Sequence, residues 1–347
     1  MQTIFLRFKS VVLIVFFLFA YQHLSSQDNC SSTLESAEIL FEQGIIEDIP
    51  GLLAGCIRDG LSTEEKKRAQ KLIILSYLFD NKVQQAENAM ESFLRSNPEY
   101  KIQPGDPAEF TSLFSSYRTF PYLSLGAFLG GNLTSASMLE PYGPYNHNID
   151  NGQFSILPEM HIGAAAYIFL TNRLELNIET IYSRNSFSYT NLQYGFAEVY
   201  KKETHQRLEF PVLLSYDLNG HKLNPYFRIG ASYGLILSAH STYRRTNLNE
   251  LNEAFNPLES NNIDISDSRT SGTFNAVMGA GLKFNIARGY VIFDMKYSYG
   301  LSNLVNPENR WDQETVFRYY YADGDFMTDN LSFSIGYRYS FYKSTKL

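Results

Sequence analysis

Gly230-Ala231-Ser232-Tyr233-Gly234 matches the G-x-S-x-G pattern of a hydrolase nucleophile, and His161 is the one histidine placed to pair with its serine. That pattern activates a serine only at a sharp strand-to-helix turn, where the hydroxyl is thrust into the open. Here Leu235 and Leu237 continue the alternation of Ala231 and Tyr233, so Ser232 falls in the middle of a strand and reads as a small inward-facing residue. The six histidines, His23, His147, His161, His205, His221 and His240, have no metal-ligand spacing. Asp264, Asp267, Asp323 and Asp325 lie between expected strands without the ligand ladder of a calcium loop, and they read as solvated loop charge. No catalytic residue, cofactor or metal is expected from these patterns.

A different set of charges is arranged more regularly. From Tyr122 onward the chain alternates apolar and polar residues in eight stretches, most plainly at the end, where Leu331, Phe333, Ile335, Tyr337, Tyr339 and Phe341 oppose Ser332, Ser334, Gly336, Arg338 and Ser340. Period-2 alternation is the mark of strands with one greasy and one polar face. The polar parity collects Glu175, Glu179, Glu209, Asp217 and Asp294 with Arg228, Lys283, Lys296 and Arg338. If the greasy parity faces lipid, these nine share the interior of an eight-stranded barrel, which is just wide enough for side chains to fill. Ions of both signs confined there should pair, because an unpaired charge in a low-dielectric interior is costly. The interior is therefore expected to be a plug.

Eight is an even number, as bacterial barrels require, and the spacing of the strands agrees. Short connections follow strands two, four and six, at Thr171-Asn172, Asn219-Gly220 and Arg288-Gly289. Long ones follow strands one, three, five and seven, at about 134-155, 190-200, 244-269 and 303-328. Short turns face the periplasm in such barrels, so strand one must rise from that side. Pro211 is awkward in any sheet and predicts a bulge or break there. The last long loop carries Trp311 and the run Tyr319-Tyr320-Tyr321, which could form a surface contact patch, or the outer aromatic girdle and the packing of a folded-over loop.

Composition is consistent with this. Among 347 residues there are 25 Tyr and 26 Phe, and a mean hydropathy of -0.23 suits strands that are half polar. A net charge of -7 leaves no basic footprint for nucleic acid. At the N-terminus, Arg7 and Lys9 precede the apolar run Val11 to Ala20 and then Ser25-Ser26, the layout of a signal peptide over 1-26. Residues 28-98 read as a small all-α unit of helical hairpins, in which Ser62 and Glu65 form a capping box and Pro98 ends the last helix. Leu40-Phe41-Glu42-Gln43 and Leu78-Phe79-Asp80-Asn81 look like copies at an offset of 38, in the manner of degenerate tetratricopeptide-like repeats. Cys30 and Cys56 would pair in an oxidising compartment, the alternative being two separate buried thiols. Residues 99-119 read as a linker, and 120-343 as the barrel.

The tyrosine-rich strands of 120-343 and the segment Arg207-Leu208-Glu209-Phe210-Pro211-Val212-Leu213-Leu214 resemble the PorT-like outer-membrane β-barrel family. That resemblance implies an all-β transmembrane barrel, and membership of a group that includes a type IX secretion component and many barrels without an assigned role. The expectation is a non-enzymatic outer-membrane barrel, in contact with membrane lipid, that anchors a periplasmic helical module for docking a periplasmic or envelope protein. The alternatives are a small lipid-modifying enzyme, using Ser232 and His161, and a narrow channel.

Overall fold

The computed structural model describes residues 29-58, 60-142, 152-193, 195-218, 223-249, 251, 253-286, 289-343 and 345-346. The expected signal peptide, His23, His147, His221, the Asn219-Gly220 turn and Arg288 lie outside them. The chain divides into two compact units, Met1–Phe120 with Tyr342–Leu347, and Pro121–Phe341.

The first unit is helical. Helix α1 (residues 29-42) and α2 (Ile49–Arg58) form one hairpin, and α3 (Thr63–Phe79) and α4 (Val83–Ser96) the next. Both halves of the Ser62-Glu65 capping box are made, which satisfies backbone donors that the first turn of α3 would leave unpaired. A disulfide joins Cys30 to Cys56 with 5.4 Å between their Cα atoms. The two residues matched at offset 38 meet, with the rings of Phe41 and Phe79 5.7 Å apart. One expectation is corrected here. Residues 99-119 are not a bare linker, because they fold into α5 (Ala108–Ser115) and bury Phe110, Phe114 and Tyr117 against Ile74, Met90 and Phe93. The prolines and glycine that suggested a linker stop at Pro107, and the apolar residues after them have helical spacing. The last residues of the chain also join this unit: Arg118 N–H donates to Thr345 O, and Lys346 pairs with Glu87 at 2.6 Å.

The second unit is a single antiparallel sheet. Its strands are β1 (Leu123–Glu140), β2 (Gln153–Phe169), β3 (Leu174–Gln193), β4 (Ala197–Asp217), β5 (Leu223–Leu248), β6 (Ala254–Glu259), β7 (Ile263–Asp264), β8 (Gly272–Ile286), β9 (Gly289–Gly300) and β10 (Asp325–Phe341). The order β4-β3-β2-β1-β10-β9-β8-β5 closes through a β4–β5 pairing, so eight strands form a ring, and β6 and β7 add to the upper edge of β5. Residues that alternate in sequence alternate between the faces. Phe333, Ile335, Tyr337 and Tyr339 lie outside, while Ser334, Arg338 and Ser340 are buried within.

The strands are longer than alternation of apolar residues suggested. β1 pairs with β10 up to Glu140↔Asp325, and the β3-β4 hairpin runs on to Gln193↔Ala197, which turns most of the expected loop at 190-200 into ladder. Ladder hydrogen bonds need no apolar face, so the sheet continues where its outer surface has become polar. Pro211 gives a local break without a bulge: the β3-β4 pairing lapses between Ile178↔Val212 and Ile181↔Glu209, which keep one register across it. A register shift lies higher, where Gln206↔Ser238 and Arg207↔Ile236 leave Leu237 as an extra residue.

Candidate functional site

The barrel interior is built in tiers. Lowest, Glu175 on β3 accepts from Arg338 on β10 at 2.7 Å and from Lys283 on β8, which also donates to Asp217 on β4. Three strands thus meet at one carboxylate and a fourth joins through Lys283, and the Arg338 guanidinium lies over the rings of Tyr167 and Tyr290 at 4.8 and 4.6 Å. Two repeats of the pleat higher, Glu179 accepts from Arg228 on β5 at 2.7 Å and from Lys296 on β9 at 2.5 Å. Asp294 lies 3.3 Å from Arg228 and accepts from the Tyr226 hydroxyl at 2.9 Å. Eight of the nine interior charges named from sequence are joined in this way. Glu209 is not, since its contact is the Ser183 hydroxyl at 3.4 Å.

Above the second tier a gap bordered by His161, Glu209 and Lys296 has a volume of about 20 Å³, room for about one water. A gap of that size among the described residues has no room for a column of water at this level. The Arg338, Lys283 and Lys296 side chains are at most 4% exposed, so their charges are spent on neighbouring carboxylates.

A third cluster was not named from sequence. Arg269 donates to both oxygens of Glu203, at 2.5 and 2.8 Å, and to Asp323 at 3.0 Å. Lys201 bridges the same two carboxylates at 2.7 and 2.6 Å, and His205 Nε2 lies 2.5 Å from Glu203. Two signals pointed to it. Lys201, Glu203, His205 and Arg207 extend the inward parity of Glu209 back along β4, and Asp323 follows an aromatic run. Asp323 is therefore buried and ion-paired, not the solvated loop charge expected, because its loop folds into the mouth of the ring.

The same folding decides between the readings of the tyrosine run in favour of a folded-over loop. Tyr319 and Tyr321 are buried with Tyr189, Val199 and Tyr243, closing the top of the interior, while Tyr320 takes a left-handed conformation (φ 59°) at the end of α6 (Gln313–Tyr319) and holds the Arg245 guanidinium 4.2 Å over its ring. Trp311 remains 55% exposed.

Among the described residues, no histidine hydrogen-bonds the serine of the motif. Ser232 is buried in the interior of β5 and accepts from Asn275 Nδ2 at 3.2 Å, whereas His161 Nε2 meets Ser334 Oγ at 2.9 Å. Among the described residues no group of three or more His, Cys, Asp or Glu side chains could hold a metal ion.

In the helical unit two carboxylates are tuned by their partners. Hydrogen bonds from Ser31 and Ser62 hold Glu65 at a pKa of about 2. Burial would raise Asp106, but donation from the Gln103 N–H, Lys71 and the Tyr100 hydroxyl outweighs it and keeps the carboxyl below its usual range.

A closed eight-stranded ring with an apolar outside and an ion-paired inside defines an outer-membrane β-barrel, since only closure satisfies every backbone group in lipid. A family model described as the outer membrane protein beta-barrel domain matches residues 111–306, and the chain belongs to that family. Its place is the outer membrane. Solved structures with a similar fold include Neisserial surface protein A (12% identity, TM-score 0.29, covering 63% of this chain and 97% of that one). OprG from Pseudomonas aeruginosa (10%, TM-score 0.35, 65% and 98%) and the outer membrane enzyme PagL (14%, TM-score 0.23, 60% and 99%) are two more. No curated protein matches.

Proposed function

We propose that this protein is a non-enzymatic outer-membrane anchor whose helical unit, on the periplasmic side, docks a protein partner. The observation that carries the reading is the filled interior: Glu175 and Glu179 consume the cations of four other strands and leave a gap of about 20 Å³, which speaks against a channel. Function must then lie on a surface. β1 starts, and β10 ends, at the end of the ring that carries the short turns, the periplasmic end in such barrels. The helical unit leaves Ile39, Leu52, Phe79 and Val83 exposed, and its paired helical hairpins resemble the tetratricopeptide-like modules that bind proteins. The likeness of the Arg207-Leu214 segment to PorT-like barrels favours a role in secretion or envelope assembly.

The test is photo-crosslinking in intact cells, with a reactive residue placed at Phe79 or Val83 in the full-length chain and, for comparison, at Trp311 or Phe317. A discrete protein adduct at the helical positions is expected. Adducts at the loop positions alone would refute the docking role. The enzyme reading makes a separate demand, that Ser232→Ala and His161→Ala alter the lipid profile of the membrane, and no change is expected.

A further inference from the structure

The outer face of β3, β4 and β5 changes character at a definite rung. Tyr182↔Leu208↔Leu235 is the last apolar rung. Above it come Arg184↔Gln206↔Ser238, then Ser186↔Thr204↔His240, then Ser188↔Lys202↔Thr242. These polar rungs are not flat. Together with Asn262, in the segment that leads into β7, they line a concavity of about 470 Å³ that includes Arg184, Lys202, Thr204, His240 and Thr242.

We infer that this concavity binds the phosphorylated sugar headgroup of an outer-leaflet glycolipid. The charge is suitable: three basic side chains line it and no carboxylate does. Two acids lie close by: one of them pairs with Arg184 itself, whose side chain stays 57% exposed, and each also accepts from a serine. Glu159 meets Arg184 through Nε at 3.3 Å and accepts from Ser186 at 2.6 Å, and Asp264, opposite His240 across the ladder, accepts from the Ser266 hydroxyl and N–H at 2.6 and 2.9 Å. Lys202 is exposed and makes no ion pair among the described residues. Threonine hydroxyls and the Asn262 amide between the cations suit a ligand that carries hydroxyls as well as phosphate.

Height selects the class of lipid. At about 3.3 Å per residue, Arg184 stands roughly 7 Å along its strand above Tyr182, and Lys202 roughly 20 Å above Leu208. With strands tilted by roughly 40°, these become about 5 and 15 Å above the apolar edge. An ordinary headgroup layer is only about 5–8 Å deep on each side, so a glycerophospholipid would reach Arg184 and stop short of Lys202. A phosphorylated oligosaccharide headgroup would reach both. Directly beneath, Tyr182, Leu208, Phe210 and Val212 continue the same face with an apolar strip on which acyl chains can lie.

The test uses the full-length protein in detergent micelles, with lipid A, a diphosphorylated acylated glucosamine disaccharide, as the probe. Native mass spectrometry should show lipid A retained on the wild-type chain. Retention should fall at least tenfold for lipid A stripped of its phosphates, and at least tenfold for intact lipid A on the R184Q/K202Q double variant. Arg318→Gln, on the exposed surface of α6, should retain it as the wild type does. Because a variant could misfold, the wild-type chain is tested as well: lipid A should protect Lys202 from amine labelling, and millimolar inorganic phosphate or phosphatidylglycerol micelles should not. Equal retention by folded R184Q/K202Q, or labelling of Lys202 unchanged by lipid A, would overturn the proposal. Equal protection by inorganic phosphate would reduce the site to a simple anion pocket and overturn the glycolipid assignment.

Discussion

In the helical unit Phe93, Phe110 and Met90 are wholly buried, and the ion pair Lys71–Asp106 sits at the edge of that core. In the barrel Phe227, Ile229 and Phe333 lie on the outside, and Lys283, Glu175 and Arg338 are enclosed. The same residue types thus occupy opposite positions within one chain. Water drives the first arrangement, because apolar area removed from it stabilises a fold by about 25 cal/mol per Å². Lipid removes that drive, and the barrel relies instead on closure of its ladder and on mutual neutralisation of the charges it encloses. Removal of a charge should therefore be costly in one unit at the centre, and in the other only where a core or cross-link is touched.

Several substitutions would break or sharpen that contrast. The largest effect is expected from Glu175→Ala, which leaves Lys283 and Arg338 enclosed without their shared carboxylate. Loss of one partner of a buried pair costs about 3–5 kcal/mol. The measurement is unfolding of the barrel in detergent by gel mobility across a denaturant series, and an unchanged midpoint would show that the charges are not held as described. Next comes Cys30→Ser. The two cysteines lie 26 residues apart in sequence, and opening a loop of that size costs roughly 3 kcal/mol by chain entropy. Proteolysis should then release the helical unit's N-terminal hairpin while the barrel mobility stays unaltered.

A smaller effect, about 1–3 kcal/mol, is expected for Asp106→Asn, which weakens charge-assisted hydrogen bonds from Lys71 and the Gln103 N–H. Its pH dependence carries a sign. The folded carboxyl titrates below its unfolded value of about 3.9 because its partners favour the anion. The stabilisation is therefore complete above that value and is lost as pH falls through the folded pKa. Circular dichroism of the wild-type helices should show that loss below about pH 4, and the variant should show less of it. The smallest is Ser62→Ala, which removes the cap of α3 at a cost of about 1 kcal/mol, read as a lower helical unfolding midpoint with the barrel unmoved.

The particular residues show how far reading the chain could go. Alternation over β10 identified which side chains face inward, because a strand has only two faces and a one-residue slip would reverse all of them. The same reasoning placed Ser232 inside a strand and removed the context its motif requires. It stopped short at Lys201 and Glu203, where the outer face turns polar and the contrast that marks a strand fades, although the ladder continues. The linker reading failed at Phe110 and Phe114 for a related cause. A single short helix shows its apolar face, but the core that accepts it lies on α3 and α4, some tens of residues earlier.

What the sequence by itself determined is therefore local and periodic: the inward parity of each strand, the capping box, the two cysteines and the excess of enclosed charge. Which charges meet was decided only by tertiary structure. Arg269, Asp323 and Glu203 are far apart in the chain and lie in segments with no shared period, yet the register of the closed ring and the infolding of the last loop bring them into contact. Period reports the direction in which a side chain points; partnership depends on closure, which couples every strand to the others and has no signature in any one of them.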